Sequence, residues 1–523
     1  MTKWTRLSAD FNMCERASWC NKMEAIIGGL QLLLRVEVLI YMIVGIVIGM
    51  ILGALPGLGA MIGMSVLLPL TFSMDPVSAI VLLVCVFKGT TMGGAFTAIL
   101  INVPGTPAAA AVTIEGYRLT QKGLSKKALH ASILSASTGD FISDIILLVG
   151  AVSLAIVALK LGPAEIFWIV LFALILTAIF SGKSFWKGLL AMSFGLLLGH
   201  VGTDPMTSVQ RLAIVPSLRL LKELDIVPVM LGIFAFSEIM LRMEESWRNK
   251  AGQKSELRSI LGPGLTLADV KDSIKAFFIG TGIGTVFGMV PGLGSIAAAF
   301  SSYEITKNAY NGKSKSGKFG EGAIPGVVGP ESANAAVSGA NFLPVLVLGI
   351  PGSPTAALLL SCLMLQGFTV GPRMFVEQAP MLYAFFFAFL IANFFNFAFA
   401  HLLLKPISAM LRANPKIVFP VAMMLCFVGV YSLNYRIVDL GVMIVIGVIG
   451  YFMKKADIPT TPCAVAFVLA SKAEQTFRQA VAIGDYPYLI QSIVSKIVIL
   501  LTVAVIVWGV LQRRKSAKLR KDA

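Results

Sequence analysis

The chain has 523 residues, of which 57% are hydrophobic and only 13% charged, and its mean hydropathy is +0.84. So few polar side chains cannot coat a water-soluble globule of this size, which excludes a soluble protein. The net charge of +16 would suggest nucleic-acid binding in a soluble chain. Here the Lys and Arg residues lie in short connections and at the chain ends, as cytoplasmic anchors do under the positive-inside rule. The composition predicts an integral membrane protein surrounded by lipid, with no nucleic-acid partner.

The first 22 residues form a polar leader that precedes a second methionine, Met23. It lacks the apolar stretch and the small-residue cleavage site of a signal peptide. An extension upstream of a natural start at Met23 is one explanation, and in either case we expect the leader to lie outside the fold. After it we predict a first transmembrane half, a polar linker, a second transmembrane half and a basic cytoplasmic tail, at 23–243, 244–267, 268–511 and 512–523.

Apolar segments recur along nearly the whole chain, and a helix needs about 20 residues to cross roughly 30 Å of hydrocarbon. The sequence therefore predicts an all-α membrane protein with about twelve transmembrane helices. The predicted spans are 38–54, 76–100, 138–160, 163–181, 185–203, 226–243, 270–290, 326–349, 378–404, 415–432, 436–453 and 488–511.

Two proline-glycine motifs occur twice in these spans. GALPGLGAMIG at 53–63 is similar to GMVPGLGSIAA at 288–298, and INVPGTPAAAA at 101–111 is similar to LGIPGSPTAAL at 348–358. Each half therefore has a PGLG motif followed by a PG(T/S)P motif. We predict broken or re-entrant helices there, with the PGLG breaks at Pro56, Gly57, Gly59, Pro291, Gly292 and Gly294.

Broken helices are costly in lipid unless the freed backbone groups line a cavity or bind a ligand. Paired breaks in two repeated halves indicate the binding site of a secondary transporter. In the PG(T/S)P motifs glycine allows close approach of a ligand, the hydroxyl adds a donor, and a helix N-terminus favours an anion such as a carboxylate. A proline kink that only shapes packing is the alternative. Candidate substrate-binding residues are Asn102, Gly105, Thr106, Pro107, Asn341, Gly352, Ser353 and Pro354.

Ionisable residues inside apolar spans are expensive and often functional. Asp140 and Asp144 are one helical turn apart and share a face, so they are candidates to bind Na+ or carry H+. Because they lie near the start of their span, a solvated interfacial position is an equal alternative. Glu331 and Asn334 form a second candidate for ion coupling, in a stretch of small residues that leads to the second PG(T/S)P motif.

Catalytic and metal-binding patterns are missing from the sequence. GKSKSGKF at 312–319 has the glycine-lysine frame of a phosphate loop, but Phe319 stands where Ser or Thr must bind Mg²⁺. The three histidines have no ligand or triad spacing. We therefore predict neither an enzyme nor a metal protein, and no cofactor beyond a coupling ion, Na+ or H+.

The ordered motifs resemble the TctA family, the large membrane subunit of tripartite tricarboxylate transporters. The resemblance covers nearly everything from Met23 to the tail and depends on GALPGLG, GGAFTAILINVPGTPAAAAVTIEGYRL, GLLLGHVGTDPMTSVQRL, LGIFAFSEI, GMVPGLG, GPESANAAVSGANFLPVLVLGIPGSPTAALLL and GPRMF. It implies a multi-pass permease of the bacterial inner membrane, driven by an ion gradient. It also implies a small TctB-like membrane partner, a periplasmic TctC-like binding protein and an organic polycarboxylate substrate.

The sequence departs from the family pattern at MGGA, with Met92 and Ala95, at EGYR, residues 115–118, and at Ala335, which follows Asn334 in place of a second asparagine. These changes leave the substrate open. A stand-alone ion-coupled carboxylate carrier is the main alternative to the tripartite permease. Opposite charge bias in equivalent loops favours inverted repeats, whereas six spans between the two PGLG motifs would make the repeats parallel.

Overall fold

The computed structural model describes residues 23–55, 59–181, 184–204, 207–211, 224–248, 260–410 and 415–521, and these residues are predominantly helical. The leader at 1–22 lies outside the described residues. The helices before the linker are α1 Met23–Leu33, α2 Val36–Ala54, α3 Gly59–Leu67, a 3-10 turn Leu68–Ser73, α4 Pro76–Ile101, α5 Ala110–Gln121, α6 Ser125–Ala158, α7 Pro163–Phe180, α8 Phe185–Gly199, α9 Ile226–Met230, a π-helical turn Leu231–Phe236 and α10 Ser237–Arg248.

The helices after the linker begin at a capping box, in which the Thr266 and Asp269 side chains each bind the other's backbone amide. They are α11 Leu267–Met289, α12 Gly294–Ala309, α13 Pro325–Ala340, α14 Phe342–Leu348, α15 Pro354–Leu365, α16 Met374–Glu377, α17 Ala379–Met410, α18 Pro415–Asn434, α19 Ile437–Lys455, α20 Thr460–Tyr488 and α21 Ile493–Lys521.

Within the described ranges, seven helical segments are long and apolar enough to cross a membrane. They are α2, α4, α6, α7, the continuous segment Ile226–Glu245, α17 and α19; α20 and α21, bent by 90° against each other, make an eighth if they form one span. The all-α membrane class is thus confirmed, but the count of about twelve spans is not. The predicted span 185–203 is the 15-residue α8, only about 22 Å long at 1.5 Å per residue. The predicted span 326–349 is divided at Asn341 into α13 and α14.

Two short antiparallel hairpins accompany the helices. β1 Gly202–Thr203 pairs with β2 Gln210–Arg211, and β3 Lys313–Ser314 pairs with β4 Gly317–Lys318. The second hairpin contains the glycine-lysine frame of GKSKSGKF, so these residues do not form the loop between a strand and a helix that binds phosphate.

Two helix pairs pack with their backbones in contact, through glycines that recur every four residues. Gly45, Gly49 and Gly53 of α2 face α4, and the equivalent glycines of α11, at 280, 284 and 288, face α13. A Cβ on Gly49 would lie 2.4 Å from the Val86 carbonyl oxygen. Each triplet ends three residues before the proline of its PGLG motif. The local similarity of the halves therefore extends from the PGLG motif back along the preceding helix.

Replacing Gly284 with alanine is expected to lower the melting temperature of the purified protein, because the new Cβ would lie 2.2 Å from the Ala333 carbonyl oxygen and force α11 away from α13. Gly282→Ala, on the same helix, is the matched control, since no atom lies within 4 Å of the added Cβ. Gly282→Ala also replaces a glycine in a helix interior, which stabilises the folded state by roughly 0.5–1 kcal/mol. Equal melting temperatures for the two variants in detergent would contradict this packing.

The halves are packed closely together. α6 lies against α13, and α17 lies against both α2 and α4. The helices that follow the breaks pack across the halves as well, α5 against α12 and α3 against α15. The division of the chain into two halves at residues 243–268 stays a prediction, but helices from both halves form the core.

Candidate functional site

The first PG(T/S)P break begins where α4 ends. Asn102 takes a left-handed conformation, with φ of 58°, and caps the helix. The Gly105 amide donates to the Gly94 carbonyl at 3.2 Å. A Cβ on Gly105 would lie 2.0 Å from the Gly53 carbonyl oxygen. The structure thus gives Gly105 a packing role between α2 and α4, and its expected ligand contact stays a prediction.

The second PG(T/S)P break is organised around Ser353, the N-cap of α15. Its hydroxyl accepts a hydrogen bond from the Ala356 amide at 3.2 Å, and Pro354 occupies the first turn, where its missing N–H costs nothing. The Asn341 amide group also donates to this hydroxyl. Asn341 is buried at the junction of α13 and α14, whereas Asn102 is exposed. Two predicted site residues therefore meet in the second half, and Asn102 is not their equivalent.

The PGLG breaks adjoin these elements. The Gly292 amide donates to the Gly352 carbonyl at 2.8 Å, which joins the two breaks of the second half. Gly292 and Gly294 have φ of 90° and 66°, and Gly59, the counterpart of Gly294, has φ of 48°. Such values favour glycine, so the last glycine of each PGLG motif takes a left-handed conformation where the next helix begins. The predictions for Pro56 and Gly57 lie outside the described residues.

Several backbone amides at the PG(T/S)P breaks have no acceptor among the described residues. They are the amides of Thr106 and Ala108 in the first half and those of Gly352, Ser353 and Thr355 in the second. Pro107, between the first two, is exposed. Ala108 also shares a small buried cluster with Ala299 of α12, which follows the second PGLG break. The breaks of both halves thus contribute to shared packing and offer N–H donors at helix starts, as anion sites do.

A buried ion cluster joins α4 and α6. The Lys88 ammonium of α4 is 2.7 Å from a carboxylate oxygen of Asp140 and 2.7 Å from one of Asp144, both on α6. The three residues are 1%, 4% and 2% exposed. This burial contradicts the solvated interfacial alternative for the two aspartates. We call Lys88, Asp140 and Asp144 the triad.

Side chains of two further helices hold the triad. Asn393 of α17 accepts from Lys88 at 3.3 Å and donates to Asp144 at 2.6 Å. Ser338 of α13 donates to Asp140, and the Phe389 ring centre lies 5.2 Å from the ammonium. The cluster therefore joins α4 and α6 of the first half to α13 and α17 of the second.

Glu331 and Asn334 lie on α13, on the side of the helix that also carries Ser338. Glu331 is 0% exposed. Neither of its carboxylate oxygens, nor the amide nitrogen of Asn334, has a hydrogen-bond partner within the described part of the chain. This second coupling candidate is thus separate from the hydrogen-bonded triad.

Two important residues were missed by sequence reasoning. Lys88, in VCVFKGTTMGG, is the one charged residue of the predicted span 76–100. A single charge inside an apolar span indicates a functional residue, so the sequence did contain a signal for Lys88. Glu115 is fully buried, and its carboxylate accepts hydrogen bonds from the Gly322 and Ala323 amides at 2.7 and 2.9 Å and from the Tyr303 hydroxyl at 2.9 Å. Glu115 thereby holds the loop after the β3–β4 hairpin against α5, a contact that no local pattern indicates.

Helices of membrane-spanning length, broken helices with free amides and a buried ion cluster together define a multi-pass membrane protein of the transporter class. The chain belongs to the tripartite tricarboxylate transporter TctA family, whose model matches residues 39–465. That match confirms the resemblance inferred from the motifs.

Two relatives come from Agrobacterium vitis. An uncharacterized 52.8 kDa protein in the TAR-I ttuC' 3'region is 31% identical over 446 residues, covering 85% of this chain and 87% of the relative. An uncharacterized protein in the TAR-II ttuC' 3'region is 33% identical over 201 residues, covering 38% and 82%. No solved structure matches the chain.

Proposed function

We propose that this chain is the permease subunit of an ion-gradient-driven tripartite transporter that imports tricarboxylates or related organic acids across the bacterial inner membrane. A periplasmic TctC-like protein delivers the substrate, and a small TctB-like membrane subunit completes the assembly. The family supports this assignment, because TctA proteins are components of tripartite tricarboxylate transporters.

The observation that carries the proposal is the set of free amides at the two PG(T/S)P breaks. Helix N-termini with unpaired N–H groups stabilise anions through hydrogen bonds and through the helix dipole. Two such ends, one in each half, match a substrate that carries more than one carboxylate. In a membrane, irregular backbone of this kind is tolerated where it lines a ligand cavity.

Dependence on the binding protein separates this proposal from a stand-alone carrier. Vesicles that contain this chain and its small partner should take up radiolabelled citrate poorly, and addition of the periplasmic protein should raise the initial rate at least several-fold. The physical reason is that the permease has to receive its substrate from the binding protein. Initial rates are measured with and without that protein.

An unrelated periplasmic binding protein at the same concentration is the control. Full uptake by this chain alone, unaffected by the binding protein, would overturn the tripartite assignment and favour the stand-alone carrier. Malate in place of citrate tests whether the assembly accepts a dicarboxylate.

A further inference from the structure

We propose that the triad carries one proton in each transport cycle, with the proton bound at Asp144. This inference rests on the proposed function for its transport role, although proton binding itself can be measured without transport. It replaces the open choice between Na+ and H+ with a specific group and a specific charge.

The charge of the triad is the first argument. Two ionised carboxylates and one ammonium sum to −1, and all three groups are almost completely buried. An uncompensated charge in a low-dielectric interior is strongly unfavourable, whereas a neutral, hydrogen-bonded cluster is tolerated. Addition of one proton to one carboxylate makes the triad neutral. The site therefore has two charge states that differ by a single proton.

The hydrogen bonds identify which carboxylate takes the proton. Both oxygens of Asp140 are engaged, one by Ser338 and the other by Lys88. In Asp144 the Oδ2 atom accepts from Lys88 and Asn393, whereas Oδ1 has no partner among the described residues. A proton can bind to Oδ1 and leave it again without breaking an existing hydrogen bond. The carboxylate becomes a carboxylic acid on one side of the membrane and releases the same proton on the other.

Gly339 makes room for this oxygen. A Cβ at Gly339 would lie 2.3 Å from Asp144 Oδ1, so any larger residue would fill the position. Asn396 of α17, which is 3% exposed, provides a second buried oxygen that has no hydrogen-bond partner among the described residues. This oxygen is Asn396 Oδ1, and the amide group of the same side chain donates to the Lys88 carbonyl at 3.4 Å.

A metal cation fits the site less well than a proton. The Lys88 ammonium already lies between the two carboxylates, where Na+ would need their oxygens. Hard cations take several oxygen ligands, and of the carboxylate oxygens of Asp140 and Asp144 only Asp144 Oδ1 stays without a partner among the described residues. The described residues contain no group of three or more His, Cys, Asp or Glu side chains able to hold a metal ion.

Other titratable groups near the triad are few. Cys85 lies one turn before Lys88 on α4, and Glu331 lies two turns before Ser338 on α13; α3 and α14 have none. On α17 the polar side chains near the triad are the amides of Asn393 and Asn396. His401 of the same helix is exposed, and its ring centre lies 5.1 Å from that of His130 on α6. The remaining groups on the packed helices are at least partly exposed or are engaged elsewhere: Glu37, Tyr41, Glu115, Tyr117, Arg118, Lys126, Lys127, Asp269, Lys271, Asp272, Lys275, Cys362, Tyr383 and Lys405.

Infrared difference spectroscopy across a pH titration of the purified protein tests proton binding directly. The wild type should show a carboxylic-acid C=O band that disappears on deprotonation, and Asp144→Asn should lack this band. Glu331→Gln identifies any second band from that residue. Glu238→Gln is the matched control, because Glu238 is a membrane carboxylate paired with Lys454 at 2.7 Å, outside the triad. An unchanged set of bands in Asp144→Asn would overturn the proposal.

Transport by the complete three-component assembly tests the coupling. With citrate, no Na+ and the voltage held at zero, one proton per cycle lets a gradient of one pH unit sustain about tenfold accumulation. Asp144→Asn, fixed in the neutral state, should lose accumulation but keep citrate exchange across the membrane. Glu238→Gln should keep both.

The outcomes separate the two proposals. Accumulation by Asp144→Asn at the wild-type ratio, or a requirement for Na+ in the wild type, would overturn proton coupling at the triad. If the wild type shows no citrate or malate exchange at all, the proposed function fails, while the infrared band still decides whether Asp144 binds a proton. If Asp144→Asn does not reach the membrane, the Na+ dependence of the wild type decides.

Discussion

Replacing Lys88 with methionine is expected to lower the free energy of unfolding by about 3–5 kcal/mol, the range seen when one partner of a buried ion pair is removed. The variant keeps two carboxylates that have lost their shared ammonium, so the unprotonated cluster changes from −1 to −2 in the interior. Methionine is close to lysine in length, so the loss comes mainly from charge. The measurement is thermal or denaturant unfolding in detergent.

A second substitution checks this electrostatic cause. Lys88→Met combined with Asp144→Asn returns the cluster to −1, and it should recover a measurable part of the lost stability. Lys318→Met, which removes an exposed ammonium from the β3–β4 hairpin, should stay close to the wild type. Additive losses in the double variant would show that Lys88 acts by packing and not by charge.

Gly352→Val is expected to abolish uptake while the protein still folds. A Cβ on Gly352 would lie 3.1 Å from the Asn341 side-chain oxygen and 3.2 Å from Pro291 Cα, contacts that small shifts can relieve. The two further methyl groups of valine would disturb Asn341 and cover the amides at the start of α15. Concentration-dependent uptake at equal membrane protein level measures the loss, and Gly352→Ala, with the smaller side chain, should be intermediate.

Thr106→Ala and Ser353→Ala extend the same test to the hydroxyl groups. A net hydrogen bond to a charged group contributes roughly 1.5–3 kcal/mol, so each variant should weaken apparent affinity by about tenfold to a hundredfold. Thr113→Ala is the control, because the Thr113 hydroxyl is already satisfied by the Ala110 carbonyl at 2.6 Å. If both site variants keep wild-type affinity and rate, the breaks are better explained as hinges for alternating access.

Local sequence patterns predicted the features that depend on neighbouring residues. The PGLG and PG(T/S)P motifs mark real helix breaks, because proline and glycine act on the backbone where they stand. The contact of Asn341 with Ser353 joins two residues that were both selected as candidates. The membrane class followed from composition alone, and the family followed from the order of the motifs.

Long-range pairing could not be predicted from those patterns. Asp140 and Asp144 were found by their helical spacing, but their partner Lys88 is 52 and 56 residues away and Asn393 is 249 residues from Asp144. The packing of Gly105 could not be predicted either, since the Gly53 carbonyl that excludes a side chain there belongs to another helix. The count of about twelve spans is not confirmed, because hydropathy does not distinguish one continuous helix from two shorter helices that meet at a break.

The contacts of Glu115 have a consequence for the biosynthesis of the protein. Ala323, one of the donors to its carboxylate, follows 208 residues later in the chain, so a ribosome that adds roughly 5–20 residues per second makes it about 10 to 40 s after Glu115. During that interval the carboxylate has none of the backbone amides that compensate its burial, and its removal from water would cost several kcal/mol. The nascent α5 therefore stays hydrated until the loop after the β3–β4 hairpin has been translated, and the first half of the protein completes its folding only after the first helices of the second half have been made.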